Sequence, residues 1–546
     1  MARYTRREAL QLGVAGCIYK LHEPPFKAEP CDPERLKPKP VVSPFSPQIK
    51  RFVKKLHIPE ELTPKKTTEN VDYYEIKLQK NLKRILPKPY PETVIWGYNG
   101  MTPGPTIRHD GGDCIKKRRS SVVRFINELG KDDDGCDINA VVHLHGMASL
   151  PQYDGHAEDF IPPGYFKNYE YPNDHNATFW YHDHALDYTA RNVYMGLAGM
   201  YIIEDDNELA LPLPKGEYDV PLILQDKQFN SDGTVLFDTG RNRSLYGDVI
   251  LVNGEPWPYM EVARRKYRFR ILNASASRNF LLMLSEDCKR QTLGDEMIVI
   301  SSDGGLLRHP VTLKSPFQSL PVAMAERYDV IIDFSHYKPG TNVYLRNVGF
   351  TGTIDSDTRS HTVMRFDIID KAVKDDSEVP FELGEVSPVI TPGTQINNER
   401  TFRFERNQGT WKINNKIWDK CRVDANPNPG DVEIWNLVNP GSGWVHPVHI
   451  HLVQSQILSR NGLPPKPYEA GWKDVFHLGE FQTVQVAIHF DTRSNNLETR
   501  TGKYMMHCHN LVHEDHSMMT LFEVGKGGPD PILSAPAQPV SEMSPF

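Results

Sequence analysis

The sequence predicts an all-β protein built from sandwiches or barrels of antiparallel strands. Three observations predict it. Short runs rich in β-branched and aromatic residues recur between turn signals, and long helical periodicity is scarce. The 43 prolines and 38 glycines spread over 546 residues favour a loop-rich architecture. A hydrophobic content of 39% and an aromatic content of 10% suit globular cores.

The expected strands include Thr93–Trp96, Ser121–Ile126, Val220–Leu224, Val249–Val252, Tyr267–Leu272, Tyr328–Phe334, Val432–Leu437 and Thr483–Ile488. Chain length predicts three or four domains, at the usual size of roughly 100–200 residues each. Three blocks emerge, from about Asp72 to Glu204, Gly216 to Lys371 and Gln395 to Val524. The polar, proline-bearing stretch Asp205–Pro214 and the charged one at Asp370–Pro392 read as linkers. The expected division is 1–71, a leader and extended tail; 72–210, 211–385 and 386–530, three domains; and 531–546, a C-terminal tail.

At the N-terminus, Arg6 and Arg7 precede a weakly apolar segment from Ala9 to Tyr19, which fits either a poor export signal or a leader without an address. The Pro/Lys-rich stretch from Cys31 to about Lys66 is expected to lie along the first domain. A formal charge of -7, with no basic run longer than Lys116–Arg119, gives no reason to expect nucleic acid. No stretch approaches the roughly 18–20 apolar residues of a membrane span. None of the seven cysteines forms a Cys-x-x-Cys pair, so a zinc ribbon or thioredoxin-type site is not indicated. Cys114 and Cys136 are the nearest plausible bridge, with free thiols an equal reading.

Ten of the 21 histidines sit in four short motifs: His143–Leu144–His145, His182–Asp183–His184, His446 with His449 and His451, and His507–Cys508–His509 followed by His513 and Met518. Residues two apart on a strand share a face, so each His-x-His projects two imidazoles in one direction. Eight such imidazoles are enough for a polynuclear metal site, and neutral imidazole favours copper, zinc, iron or nickel. The last motif selects among these. Cys508 lies between His507 and His509, so its thiolate faces away from both. With His446, His513 and a weak axial thioether from Met518 it makes the ligand set of a blue-copper centre. Cys508 is then joined through the backbone to His507 and His509, linking a one-electron centre to the polynuclear one. Met519, Met505 and Met506 read as core filling. His516 and the singletons His156, His175, His309, His336, His361, His477 and His489 read as ordinary histidines, and Asp183 as structural. Trp444 reads equally as part of a donor pocket or as packing.

These four motifs, in this order, resemble those of the multicopper oxidases. The stretches Asn99–Pro105, Tyr267–Ala274 and Ala325–Asp329 agree as well, and the resemblance runs from about Asp72 to Val524. Trp180–Ala185, Gly443–Pro447 and His507–Met519 are most similar to the bilirubin oxidase and spore-coat laccase branch. The fold this implies is three cupredoxin-like Greek-key β-sandwich domains, the middle one a spacer. The implied cofactors are four copper ions. His446, Cys508, His513 and Met518 would hold the type 1 ion, and His143 and His449 the type 2 ion. His145, His182, His184, His451, His507 and His509 would hold the type 3 pair. Asp154 and Glu514 match family acids that deliver protons, and an orienting role toward ligand imidazoles is compatible with that task. The implied partners are a small-molecule electron donor, phenolic or tetrapyrrole, and dioxygen. The alternative is a metal-ion oxidase for cuprous or ferrous ions, which would display methionine- or carboxylate-rich loops. The 15 methionines form no such cluster outside the terminal motif. A copper-binding protein without turnover would lack cluster ligands, and none is missing. The resemblance also implies an exported, monomeric chain, and the sequons at Asn176, Asn242 and Asn273 matter only in that setting.

Overall fold

The computed structural model describes residues 45–110, 119–239, 243–287, 293–314, 318–349, 358–371, 373–491 and 500–546. The leader signal, Cys114 and the Asn242 sequon lie outside the described residues, whereas Cys136 is engaged in a disulfide. Every strand expected from the sequence forms. Val249–Val252 keeps its bounds, Tyr328–Phe334 shifts by one residue to Arg327–Asp333, and the others lengthen by one to three residues at an end, as in Thr93–Tyr98 and Asp219–Lys227.

The described strands assemble into six sheets, two to each of three successive blocks. Most strand pairs are antiparallel, as expected, but each block also carries two parallel pairs. In the first block Val71–Lys83 runs parallel to Ser120–Asn127, and Ile107–Asp110 runs parallel to Ala198–Glu204. The middle block repeats this with Asp219–Lys227 beside Lys266–Asn273 and Tyr259–Val262 beside Thr362–Ile368. The third does so with Asn398–Asn407 beside Val432–Asn439 and Val423–Ala425 beside Met519–Val524. In each block the chain leaves one sheet, adds a short strand to the other and returns, so the flanking strands run the same way. One topology is thus used three times, giving three cupredoxin-like sandwiches.

Alternation along the strands fills each sandwich from both sheets. Val71–Lys83 buries Tyr74, Ile76 and Leu78, and Val432–Asn439 buries Trp435 and Leu437. Each such side chain contributes about 1.5–3 kcal/mol. Paired charges line the seams between blocks. Arg270 meets Glu204 and Asp219, and Arg268 meets Asp329 and Glu208, all buried except the half-buried Asp219. Between the middle and third blocks, Lys473 meets Asp303 at 2.8 Å and Glu326 at 2.9 Å.

Both tails pack back onto the sheets, the N-terminal one on more than the first block. The N-terminal one reaches the middle block first, where Phe52 N donates to Trp257 O and Leu56 N to Tyr259 O, and only then the first block, where Leu62 N donates to Thr106 O. Open backbone at the edge of each sheet takes it in turn. The C-terminal tail returns to the first block: Gln538–Pro539 pairs with Tyr165–Tyr171, and Arg124 covers the Phe546 ring at 3.9 Å. Among the described residues no helix is long and apolar enough to cross a membrane.

Candidate metal centres

Two pairs of strands build the histidine cluster. Val142–His145 lies antiparallel to Ala177–Asp183 with His143 opposite His182, and His446–Ile450 lies antiparallel to Gly502–Cys508 with His449 opposite His507. The rings within each His-x-His pair are 5.5, 6.0, 4.7 and 5.4 Å apart, so every pair shares a face. His184, His451 and His509 each fall one residue beyond the end of their strand. The strand sets the first ring of those pairs, and the turn that follows carries the second.

The pairs of the first block face those of the third. His143 Nε2 lies 3.3 Å from His449 Nε2, and His507 Nε2 lies 3.2 Å from both His184 Nε2 and His451 Nε2. His143 stacks on His451 at 4.0 Å, and His145 on His449 at 3.6 Å. All eight rings are buried.

Hydrogen bonds on the far side decide which nitrogen faces inward. Nδ1 donates to a backbone carbonyl from His143 (to Asp154), His182 (to Asp183) and His449 (to Asp474), and from His451 to the Asp154 carboxylate at 2.7 Å. Their Nε2 lone pairs are left for the cluster. His145 is reversed: its Nε2 lies 3.0 Å from Asp474 Oδ1, leaving a buried Nδ1 without a hydrogen-bond partner. His182 Nε2 and both nitrogens of His509 are likewise buried and without a hydrogen bond. Burial holds His143, His145, His182, His449, His451 and His509 well below the ordinary imidazole pKa, and lowers His184 to about 4. Neutral, convergent, orphaned imidazole nitrogens are a donor set fitted to a transition-metal cation. The trios His143–His449–His451, His143–His145–His182 and His184–His451–His507 each bring their donor atoms within 4.8 Å of one another. They overlap at His143 and His451, so the donor atoms form one contiguous cluster.

On the opposite face of the Gly502–Cys508 strand, the Cys508 thiol enters the third-block core. Its Sγ lies 3.4 Å from His446 Nδ1 and 3.5 Å from His513 Nδ1, and the two nitrogens are 3.3 Å apart. Cys508 forms no disulfide. The helix Leu511–Asp515, capped by Asn510, turns the chain back so that His513 returns to the sulfur. Met518 lies in the same core, its carbonyl accepting from Cys508 N and its amide donating to His513 O. Met519 packs elsewhere, against Met505 and Trp418. Burial pushes the Cys508 thiol pKa up, so a thiolate there needs a cation beside it. A buried thiol between two imidazoles supplies that pairing for a soft metal.

Both predicted acids reach the cluster. Asp154 is buried; burial raises its pKa well above the usual range, and its Oδ1 has no hydrogen-bond partner. Glu514 lies 3.0 Å from His507 Nδ1 and 3.6 Å from His184 Nε2. Asp183 turns away as expected, accepting from the Val141 and Ala185 amides and from Asn192 Nδ2. His516 stays outside both centres, bonded to the Val512 carbonyl. Trp444 is half-buried, 5.8 Å from the His513 ring.

Three neighbours escaped the sequence reading. Trp411 stacks on His513 at 3.6 Å, and Asn510 Nδ2 approaches His513 Nε2 at 3.1 Å. Asp474 touches His145 and His449 while paired with Arg327 of the middle block at 2.6 and 2.7 Å. The middle block is therefore not a mere spacer: its buried arginine braces a carboxylate of the cluster. Arg327 stood within the recognised stretch Ala325–Asp329, but nothing local tied it to Asp474.

Two family models described as multicopper oxidase match residues 81–208 and 391–528. The chain is 42% identical to a bilirubin oxidase of Albifimbria verrucaria, over 88% of this chain and 82% of that protein. It is 34% identical to a laccase of Bacillus subtilis (strain 168), over 87% of this chain and 99% of that one. The crystal structure of a laccase from Pediococcus acidilactici superposes with a TM-score of 0.74 at 28% identity, covering 88% of this chain and 95% of that one. With the sandwiches, the paired histidines and the buried thiol already in place, these likenesses settle the family: the chain belongs to the multicopper oxidases, copper-dependent oxidoreductases that use dioxygen.

Proposed function

We propose that the chain oxidises a phenolic or tetrapyrrole donor one electron at a time at a type 1 copper and reduces dioxygen to water at a three-copper cluster. One observation carries this reading. Cys508 turns its sulfur to His446 and His513, while its covalent neighbours His507 and His509 turn to the eight-histidine cluster. His446, Cys508, His513 and Met518 are assigned to the type 1 ion and His143 and His449 to the type 2 ion. His145, His182, His184, His451, His507 and His509 are assigned to the type 3 pair. When bound, the four copper ions accept electrons singly and deliver four of them to dioxygen, which takes up four protons to leave as two waters.

The chain's own residues do the rest. Cys508 and the two peptide units beside it form the covalent route between the centres. Trp411 stacks on the buried His513, and the half-buried Trp444 meets Trp411 edge-on at 5.1 Å, so Trp444 offers a flat aromatic donor a surface near the type 1 ligand. Asp154 and Glu514 are assigned the proton supply, because both touch cluster imidazoles and neither is locked to an arginine as Asp474 is. The relatives named bilirubin oxidase and laccase support the donor class.

Oxygen uptake by copper-replete protein tests the reading. Uptake with bilirubin or a phenol, faster than with ferrous or cuprous ion, is expected. A blue protein that consumes oxygen only with the metal ions would overturn the donor class and install a metal-ion oxidase.

A further inference from the structure

All three blocks meet the histidine cluster at Asp474. The residue is buried immediately before the strand Val475–Leu478. Its Oδ1 accepts from Arg327 Nη1 at 2.6 Å, and its Oδ2 accepts from Arg327 Nη2 at 2.7 Å and Gln454 Nε2 at 2.9 Å. The same Oδ1 lies 3.0 Å from His145 Nε2, and the backbone carbonyl accepts from His449 Nδ1 at 2.8 Å. His145 belongs to the first block, Arg327 to the middle one and His449 to the third.

The chemistry of these contacts is directional. A carboxylate gripped by both arms of a buried guanidinium stays ionised and only accepts. His145 therefore gives its proton from Nε2 and keeps its lone pair on Nδ1. His449 gives its proton from Nδ1 to the carbonyl and keeps its lone pair on Nε2. These two rings are the pair stacked at 3.6 Å with 17° between their planes. Stacked imidazoles with opposite tautomers both turn a lone pair into the site, and one residue sets both. Arg327 has no freedom to release it: Nε donates to Thr178 O at 2.9 Å and Nη2 to Asp303 O at 3.0 Å, in two different blocks.

We propose that Asp474, clamped by Arg327, is a positioning residue that holds His145 and His449 in opposite tautomers, so that the middle block governs how the cluster binds copper. The proposal rests on the copper reading above. Carboxylates that orient metal-bound histidines through the second ring nitrogen are worth about 10–100-fold in affinity or activity.

The test compares Asp474→Asn and Arg327→Lys with Glu433→Gln, which breaks another buried pair of the third block, where Glu433 is taken by Arg400 and the Trp435 indole. Asp474→Asn is expected to keep the blue absorption band and the donor KM. Its cluster should bind copper about 10–100-fold more weakly, with an altered electron paramagnetic resonance spectrum and kcat lowered in the same range. Arg327→Lys, which keeps the charge and loses the fork, should fall between Asp474→Asn and the unsubstituted protein, and Glu433→Gln should lower the melting temperature alone. Unsubstituted copper affinity and spectrum in both clamp variants would overturn the proposal. So would loss of melting temperature in step with Glu433→Gln and without a specific change in the cluster. An unsubstituted protein with no blue band or no cluster copper would overturn the copper reading instead.

Discussion

Cys508 Sγ lies 3.4 Å from His446 Nδ1, although 62 residues separate the two in the chain. The contact forms because His446–Ile450 and Gly502–Cys508 are neighbours in one sheet, with Val448 opposite Cys508. Cys508→Ser keeps that backbone and removes the thiolate. The blue absorption band and donor oxidation are expected to vanish, while the eight-histidine cluster still binds copper. Absorption spectroscopy with copper analysis of the purified variant checks this.

Met518→Leu conserves volume in a close-packed core and should cost less than about 1.5 kcal/mol of stability. Copper is expected to stay bound and the reduction potential of the blue centre to rise, since the axial ligand tunes it. Redox titration of the blue band reads the shift. An unchanged potential would place another residue in the axial position.

Asp154→Asn removes an acid and leaves an amide that can still meet His451. With Asp154 in proton supply, kcat should drop by about 10²–10⁴-fold and the donor KM stay constant. Steady-state kinetics against pH separate this from a loss of copper, which would be seen in the metal content.

Gly155 follows Asp154 with φ of +81°, and a Cβ there would sit 2.5 Å from Val142 O and 2.8 Å from His143 Cα. The obstructing atoms are backbone and cannot swing aside. Gly155→Ala is therefore expected to cost at least about 1–3 kcal/mol and to shift His143 from the cluster. Thermal unfolding and copper content would both fall.

His156 is buried against Trp418, and burial lowers its pKa to about 4, with Glu158 opposing. Its ordinary value is about 6.5. Between those values the unfolded chain carries the extra proton, so stability falls as pH drops through this window. The slope is at most about 1.4 kcal/mol per pH unit for one group. His156→Gln should flatten the stability profile between pH 6.5 and 4 by up to that slope, measured by denaturant unfolding at each pH. An unchanged profile would show that His156 protonates in place.

Local order explains what was legible in the chain. The His-x-His pairs and the opposed Cys508 follow from strand alternation, which acts between adjacent residues. The eight expected strands formed for the same reason, since runs such as Val249–Val252 have few alternatives once buried. The parallel pairings were not legible, because strand direction is set by how the chain crosses between sheets. Asp474 and Arg327 were not legible either. They are 147 positions apart, and their pairing at 2.6 Å exists only after two sandwiches dock. Trp411 gave no signal because it reaches His513 from a different sheet, across the third-block core.

The amino-acid sequence by itself determined which donor atoms are present and which of them share a face, since both follow from residue type and the two-residue repeat of a strand. Tertiary structure decided which nitrogen each imidazole turns inward and which distant residues hold it there. That choice depends on hydrogen bonds to Asp154, Asp183 and Asp474. Those from His451 to Asp154 and from His145 to Asp474 cross between blocks, and no local pattern encodes a contact that only docking creates.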